Sequence, residues 1–151
     1  MNGPLKPTPN KAHYTFNLRD ISKIFQGIVA ANSKLCAMPV ELLRIWYHEN
    51  TRVFGDRMIN DGDRSFLSKL MIERAEHHFQ LGHDDIYNVE RILFCDFLDG
   101  MDVDPRIYKQ ATDLPRFQEM IDEFLEDYNG AVKTPMHLVM FLDACDHVSR
   151  I

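Results

Sequence analysis

The chain has 151 residues, 45% of them apolar and 26% charged, which is one domain's worth of an ordinary globular composition. Lys and Arg total 17 against 23 Asp and Glu, giving a net charge of −6. That balance argues against nucleic acid and against anionic membrane as partners, since both attract a basic face. No apolar run nears the roughly 18 residues of a membrane span, and Met1 to Pro7 lacks the apolar stretch of a signal peptide.

Residues 1–12, with Pro4, Pro7 and Pro9 and no apolar periodicity, read as an extended lead-in or linker. A first helix is expected after Asn17, a good N-cap residue with Asp20 three positions on. Its apolar line is Leu18, Ile21, Phe25 and Ile28, with Ile24 beside it. Ala30 to Met38 reads as a loop, and Pro39 opens a second helix. There Leu42, Leu43, Trp46, Tyr47, Val53 and Phe54 form the stripe, with Asn50 its polar member and Arg44, His48, Thr51 and Arg52 off it.

The turn Asn60-Asp61-Gly62-Asp63 can cap a third helix, expected from about Arg64 to Leu81 with Gly82 as its C-cap. Phe66, Leu67, Leu70, Met71, Ala75 and Phe79 mark its inner side. Periodicity does not decide between strand and helical turn for Arg91 to Leu98. Asp99 to Pro105 reads as a polar turn. A fourth helix begins at Leu114-Pro115, carries Phe117, Met120, Ile121, Phe124, Leu125 and Tyr128, and ends at Gly130. From Pro135, the residues Leu138, Phe141, Leu142, Cys145 and Val148 keep helical spacing. The fold class implied is mostly α, a compact helical bundle with at most a short strand or hairpin in the middle.

The three cysteines, Cys36, Cys95 and Cys145, are far apart and odd in number, which fits reduced apolar thiols rather than a disulfide framework or zinc knuckle. The seven glycines are scattered, so no phosphate-binding loop is present. Two apolar runs ending in acids, Leu138 to Asp143 and Ile92 to Asp96, imitate the metal-binding strand of an ATPase. The first keeps a helical period and the second has no upstream phosphate loop to serve. His77, His78, His83, Asp84 and Asp85 could suggest a metal, but His77 and His78 are adjacent and point to different sides of a helix. They read instead as a solvated helix end. His48-Glu49 lacks the second His of a zinc-protease helix, and Asp99, Asp102 and Asp104 miss the calcium-loop pattern.

Arg19 is the candidate site residue. At 100° per residue it stands off the line through Leu18, Ile21 and Phe25, on the side of Lys23 and Gln26. A cation in the first turn is mildly unfavourable against the helix dipole. It is either a solvated side chain or an Arg that reaches an anion supplied from elsewhere, and guanidinium suits phosphate.

The run His13-Tyr14-Thr15-Phe16-Asn17-Leu18-Arg19-Asp20, followed by Phe25-Gln26-Gly27, resembles dynein heavy chains. So do Leu43 to Glu49 followed by Arg52 to Arg57, and Leu138 to Ala144 followed by His147 and Arg150-Ile151. Their order is similar to the end of the third AAA+ module and the start of the fourth, with an axonemal rather than cytoplasmic flavour. Val29 to Pro39 does not match. The resemblance implies that residues 13–133 are a helical AAA+ lid subdomain and 134–151 the leading helix of the next module. It implies that Arg19 is the nucleotide-sensing arginine called sensor 2.

It further implies that this piece is not catalytic alone, has no cofactor of its own, and serves an ATPase motor that uses ATP or ADP and Mg and moves to microtubule minus ends. The implied partners are the neighbouring AAA+ modules, microtubules and other dynein chains, in the cytoskeleton and the axoneme of a cilium or flagellum. Two readings from other classes stand beside it. One is a self-contained helical interaction module with an acidic surface. The other is a metal-binding helical protein using His77, His78 and His83.

Overall fold

The computed structural model describes residues 5–34, 36–100 and 102–150. Met1 to Pro4 of the expected lead-in, Leu35 of the expected loop, Met101 of the polar turn and Ile151 of the last motif lie outside the described residues. Six α-helices and one two-stranded sheet make up the described structure, in line with the mostly α expectation. They fall into two compact units that meet in sequence at Ile92 and Leu93.

The first unit opens with a 3-10 turn at Pro9–Lys11. Helix α1, Leu18–Ala30, starts as expected, with the Asn17 side chain accepting from the Asp20 N–H at 2.9 Å. Its buried face is not the expected one. Asp20 and Ile24 are buried, Ile21, Gly27 and Ile28 half-buried, while Leu18 and Phe25 are exposed. Apolar periodicity places the core line through the hydrophobic side chains; here a paired carboxylate takes an inner position and the line turns away from Leu18.

Helix α2, Pro39–Asn50, begins at Pro39 as expected, and the Glu41 carboxylate accepts from the Met38 N–H at 3.0 Å. Its deepest residues are Leu43, Ile45, His48 and Glu49, whereas Leu42 is exposed and Trp46 and Tyr47 are half-buried. The helix continues into a π turn over Thr51–Gly55, closed by Asp56 N–H to Thr51 C=O at 2.9 Å. Two side chains contribute to that widening. Asn50 Nδ2 donates to Trp46 C=O at 2.8 Å and Thr51 Oγ1 to Tyr47 C=O at 2.9 Å, competing with backbone donors for the carbonyls.

Helix α3 runs over Asp61–Phe79, three residues earlier than expected, because Asn60 caps it by accepting from the Asp63 N–H at 2.8 Å. It ends at Gln80, which takes the left-handed conformation (φ 58°) that Gly82 was expected to supply. Gly82 instead heads a single-turn helix α4, His83–Ile86, its N–H donating to Asp85 Oδ2 at 2.9 Å. Tyr14, Met58, Leu67 and Met71 form a buried cluster lined by Trp46, Tyr47 and Phe54.

The second unit resolves the ambiguous segment after Arg91. Phe94–Cys95 is strand β1, antiparallel to β2 at Lys109–Gln110, with Phe94 opposite Gln110 and Cys95 opposite Lys109. Helix α5, Leu114–Ala131, buries Leu114, Phe117, Met120 and Ile121; of the rest of the expected stripe Phe124 and Leu125 are half-buried and Tyr128 is exposed. Leu93, Cys95, Ala111, Phe117, Ile121 and Cys145 form the core of this unit.

The last helix, α6, spans only Leu142–Ser149. The stretch from 135 to 141, expected to be helical, is not. Leu138, Val139 and Phe141 are exposed there, so no burial rewards a longer helix. Amide side chains of α5 hold the chain instead. Asn129 Nδ2 donates to Met136 C=O at 2.9 Å and its Oδ1 accepts from Met136 N–H at 2.8 Å, while Gln118 Nε2 donates to Met140 C=O at 2.6 Å.

Candidate functional site

Residues 11–20, which lead into α1, are tied along their length to residues 54–63. Lys11 pairs with Asp63, and the Tyr14 hydroxyl donates to Asp63 Oδ2 at 2.8 Å while accepting from Ile59 N–H at 2.9 Å. His13 Nε2 lies 2.9 Å from the Arg57 carbonyl, and the Phe16 ring stacks on Phe54 at 5.5 Å. Arg57 then grips both sides of the N-cap. Its Nη1 donates to Thr15 C=O at 3.2 Å, and its Nη2 to Asp20 Oδ1 at 3.0 Å. A longer bond from Nη1 reaches Asp20 Oδ2 at 3.4 Å, and the guanidinium carbon sits 5.5 Å over the Phe54 ring.

The two carboxylates are held ionised. The hydrogen bond from Arg57 keeps Asp20 below the usual carboxylate range, against the opposing effect of desolvation. The bonds from Lys11 and then Tyr14 do the same for Asp63. Asp20 at the third helical position also suits the positive end of the helix dipole.

Arg19 lies between the cap and Asp20, in this anchored turn, and is itself exposed. Among the described residues it makes no side-chain hydrogen bond or ion pair. Its backbone is therefore fixed while its guanidinium remains available to an external anion. The structure places no second functional group of the expected set beside it, because Arg19 was the whole of that set.

The histidines and acids of the third helix and its end are dispersed. His77 and His78 are exposed neighbours at the end of α3, and His83 hydrogen-bonds Asp84 at 3.1 Å and stacks on Tyr87 at 4.7 Å. Among the described residues no three His, Cys, Asp or Glu side chains gather as a metal-ligand set. The thiols of Cys95 and Cys145 are buried and that of Cys36 half-buried; burial pushes Cys95 up to about 12.

The ion pairs of Asp20 and of Glu49 escaped the sequence reading. Arg57 and Asp20 are 37 positions apart, and nothing in their local spacing couples them. Glu49 is fully buried, with Arg52 Nε donating to its Oε2 at 3.2 Å. The one local signal is the Glu49–Arg52 spacing, which puts the two on adjacent turns of one helix face.

A family model described as an AAA+ lid domain matches residues 2–89. Over 97% of its length the chain is 43% identical to dynein axonemal heavy chain 1 of Mus musculus. It is 39% identical, over its full length, to dynein axonemal heavy chain 6 of Homo sapiens. It is also 39% identical over 96% of its length to the ciliary dynein beta chain of Tripneustes gratilla. The chain spans only 3 to 4% of the length of these relatives.

Proposed function

This chain belongs to the AAA+ lid domain family, and on that premise we propose that it is the lid of the third AAA+ module of an axonemal dynein heavy chain. Residues 134–151 then open the fourth module. Near full-length similarity to axonemal and ciliary dynein heavy chains supports the parent assignment. In this reading the parent is an ATP-driven motor that works on microtubules in the axoneme, and the chain's immediate partners are the neighbouring AAA+ modules. ATP or ADP with Mg binds to portions of the parent outside these 151 residues.

Arg19 is the nucleotide-facing group of this lid. A guanidinium never loses its charge near neutral pH and can donate two parallel hydrogen bonds to phosphate oxygens. The observation that carries the reading is the combination of an exposed, unpartnered Arg19 with a helix turn locked on both sides. A lid of this kind acts by moving as a body when the nucleotide changes. That requires internal stiffness, which the ties between residues 11–20 and 54–63 supply.

Calorimetry with Mg-ATP tests the division of labour. The 151-residue chain should give no binding at micromolar nucleotide and no turnover. Micromolar affinity, or hydrolysis, would assign the chain a site of its own and overturn the proposal.

A further inference from the structure

We propose that Arg57 is a positioning residue for Arg19: through Thr15 and Asp20 it sets the direction in which the first turn of α1 presents that guanidinium. This rests on the nucleotide-facing role proposed for Arg19.

Arg57 contacts the chain both before and after the N-cap. Its Nη1 holds the Thr15 carbonyl at 3.2 Å and its Nη2 the Asp20 carboxylate at 3.0 Å, so one planar fork bridges the residues that flank Phe16, Asn17, Leu18 and Arg19. The fork itself is immobilised. It lies over Phe54, Phe54 stacks on Phe16, and the Arg57 carbonyl meets His13. Asp20 is 6% exposed and Arg19 is exposed, so consecutive residues of one turn serve as anchor and as free arm. Rotation of the turn by one residue's 100° would carry Arg19 to a different side of the helix, and loss of the bridge permits such movement. Misplacement by about 1 Å is enough to weaken a charged contact that depends on bidentate geometry.

A lysine at 57 keeps the charge yet cannot make the two-pronged bridge. The effect should therefore appear as a graded loss of nucleotide affinity rather than as an all-or-none failure of folding.

The test uses the intact parent heavy chain. The quantities read are the ATP concentration for half-maximal activity and the nucleotide occupancy of the site beside this lid in cryo-electron microscopy maps. Arg19→Ala should weaken nucleotide at that site about tenfold or more, Arg57→Ala about three- to tenfold, and Arg57→Lys less than Arg57→Ala. The double variant should be no weaker than Arg19→Ala alone, since two residues acting through one contact are not additive. Arg44→Ala breaks ties to Asp85, Ile86 and Asn88 in the same unit and serves as the control for general loosening, with occupancy unchanged. If Arg19→Ala has no effect, the nucleotide-facing role falls. If Arg19→Ala weakens binding while Arg57→Ala behaves like Arg44→Ala, that role stands and the positioning role of Arg57 falls. Fully additive losses would likewise overturn it.

Discussion

Gly27 of α1 lies directly against the carboxylate of Glu49 on α2, so closely that a Cβ at position 27 would fall on the carboxylate carbon and oxygens. Glu49 is fully buried and hydrogen-bonded by Arg52, so displacing its carboxylate disturbs that bond. The absence of a side chain at 27 is what lets the two helices approach with a charged group between them. This contact joins the helix that bears Arg19 to the helix that leads into Arg57.

Gly27→Ala should therefore destabilise the first unit by about 1–3 kcal/mol, the usual cost of overpacking. Urea unfolding followed through the fluorescence of Trp46, the one tryptophan, reads it. Glu49→Ala on the same background should recover part of the loss, because it removes the group that clashes. Strict additivity would mean that the two residues are not in contact.

The same signal should fall at acid pH. In the folded state the bonds from Arg57 to Asp20 and from Lys11 to Asp63 hold both carboxyls below the ordinary Asp value of about 3.9, so their contribution is present above that value. It is lost as pH falls from about 4 toward the folded values, because the unfolded chain then binds protons first. Unfolding curves at steps from pH 7 to pH 3 should show little change until about pH 4.5 and a steep loss below. Asp63→Asn should flatten that fall.

Arg19→Ala should change stability by less than about 0.5 kcal/mol, as for an exposed residue with nothing to lose inside the chain. A loss of about 2 kcal/mol in chemical denaturation would mark it as structural instead.

Phe117→Ala should cost about 3–5 kcal/mol in the second unit, since Phe117 is fully buried in its core. Trp46→Ala should cost less, because Trp46 is only half-buried beside its cluster. Near-ultraviolet circular dichroism during unfolding separates the two.

Much of this fold was legible because its helices announce themselves. Asn17, Pro39 and Leu114-Pro115 open helices as their types require, and α5 buries the first half of its expected stripe, Phe117, Met120 and Ile121, while Tyr128 is exposed. What escaped reading depends on partners far away in sequence. The buried face of α1 is turned because Asp20 meets Arg57, and α2 buries His48 and Glu49, which an apolar count leaves outside. Helical spacing from Pro135 carried no information about whether Leu138 and Phe141 would find anything to cover them. At the candidate site, Arg19 could be picked out as a cation off its helix stripe, but the fork that holds its turn spans 37 residues and has no local signature.

The most direct measurement is a cryo-electron microscopy map of the intact heavy chain with ADP or ATP bound beside this lid. The Arg19 guanidinium should lie about 3 Å from a phosphate oxygen of that nucleotide, with Arg57 still bridging Thr15 and Asp20. A nucleotide fully enclosed with Arg19 turned to solvent, beyond hydrogen-bond reach, would rule out the lid's proposed sensing role.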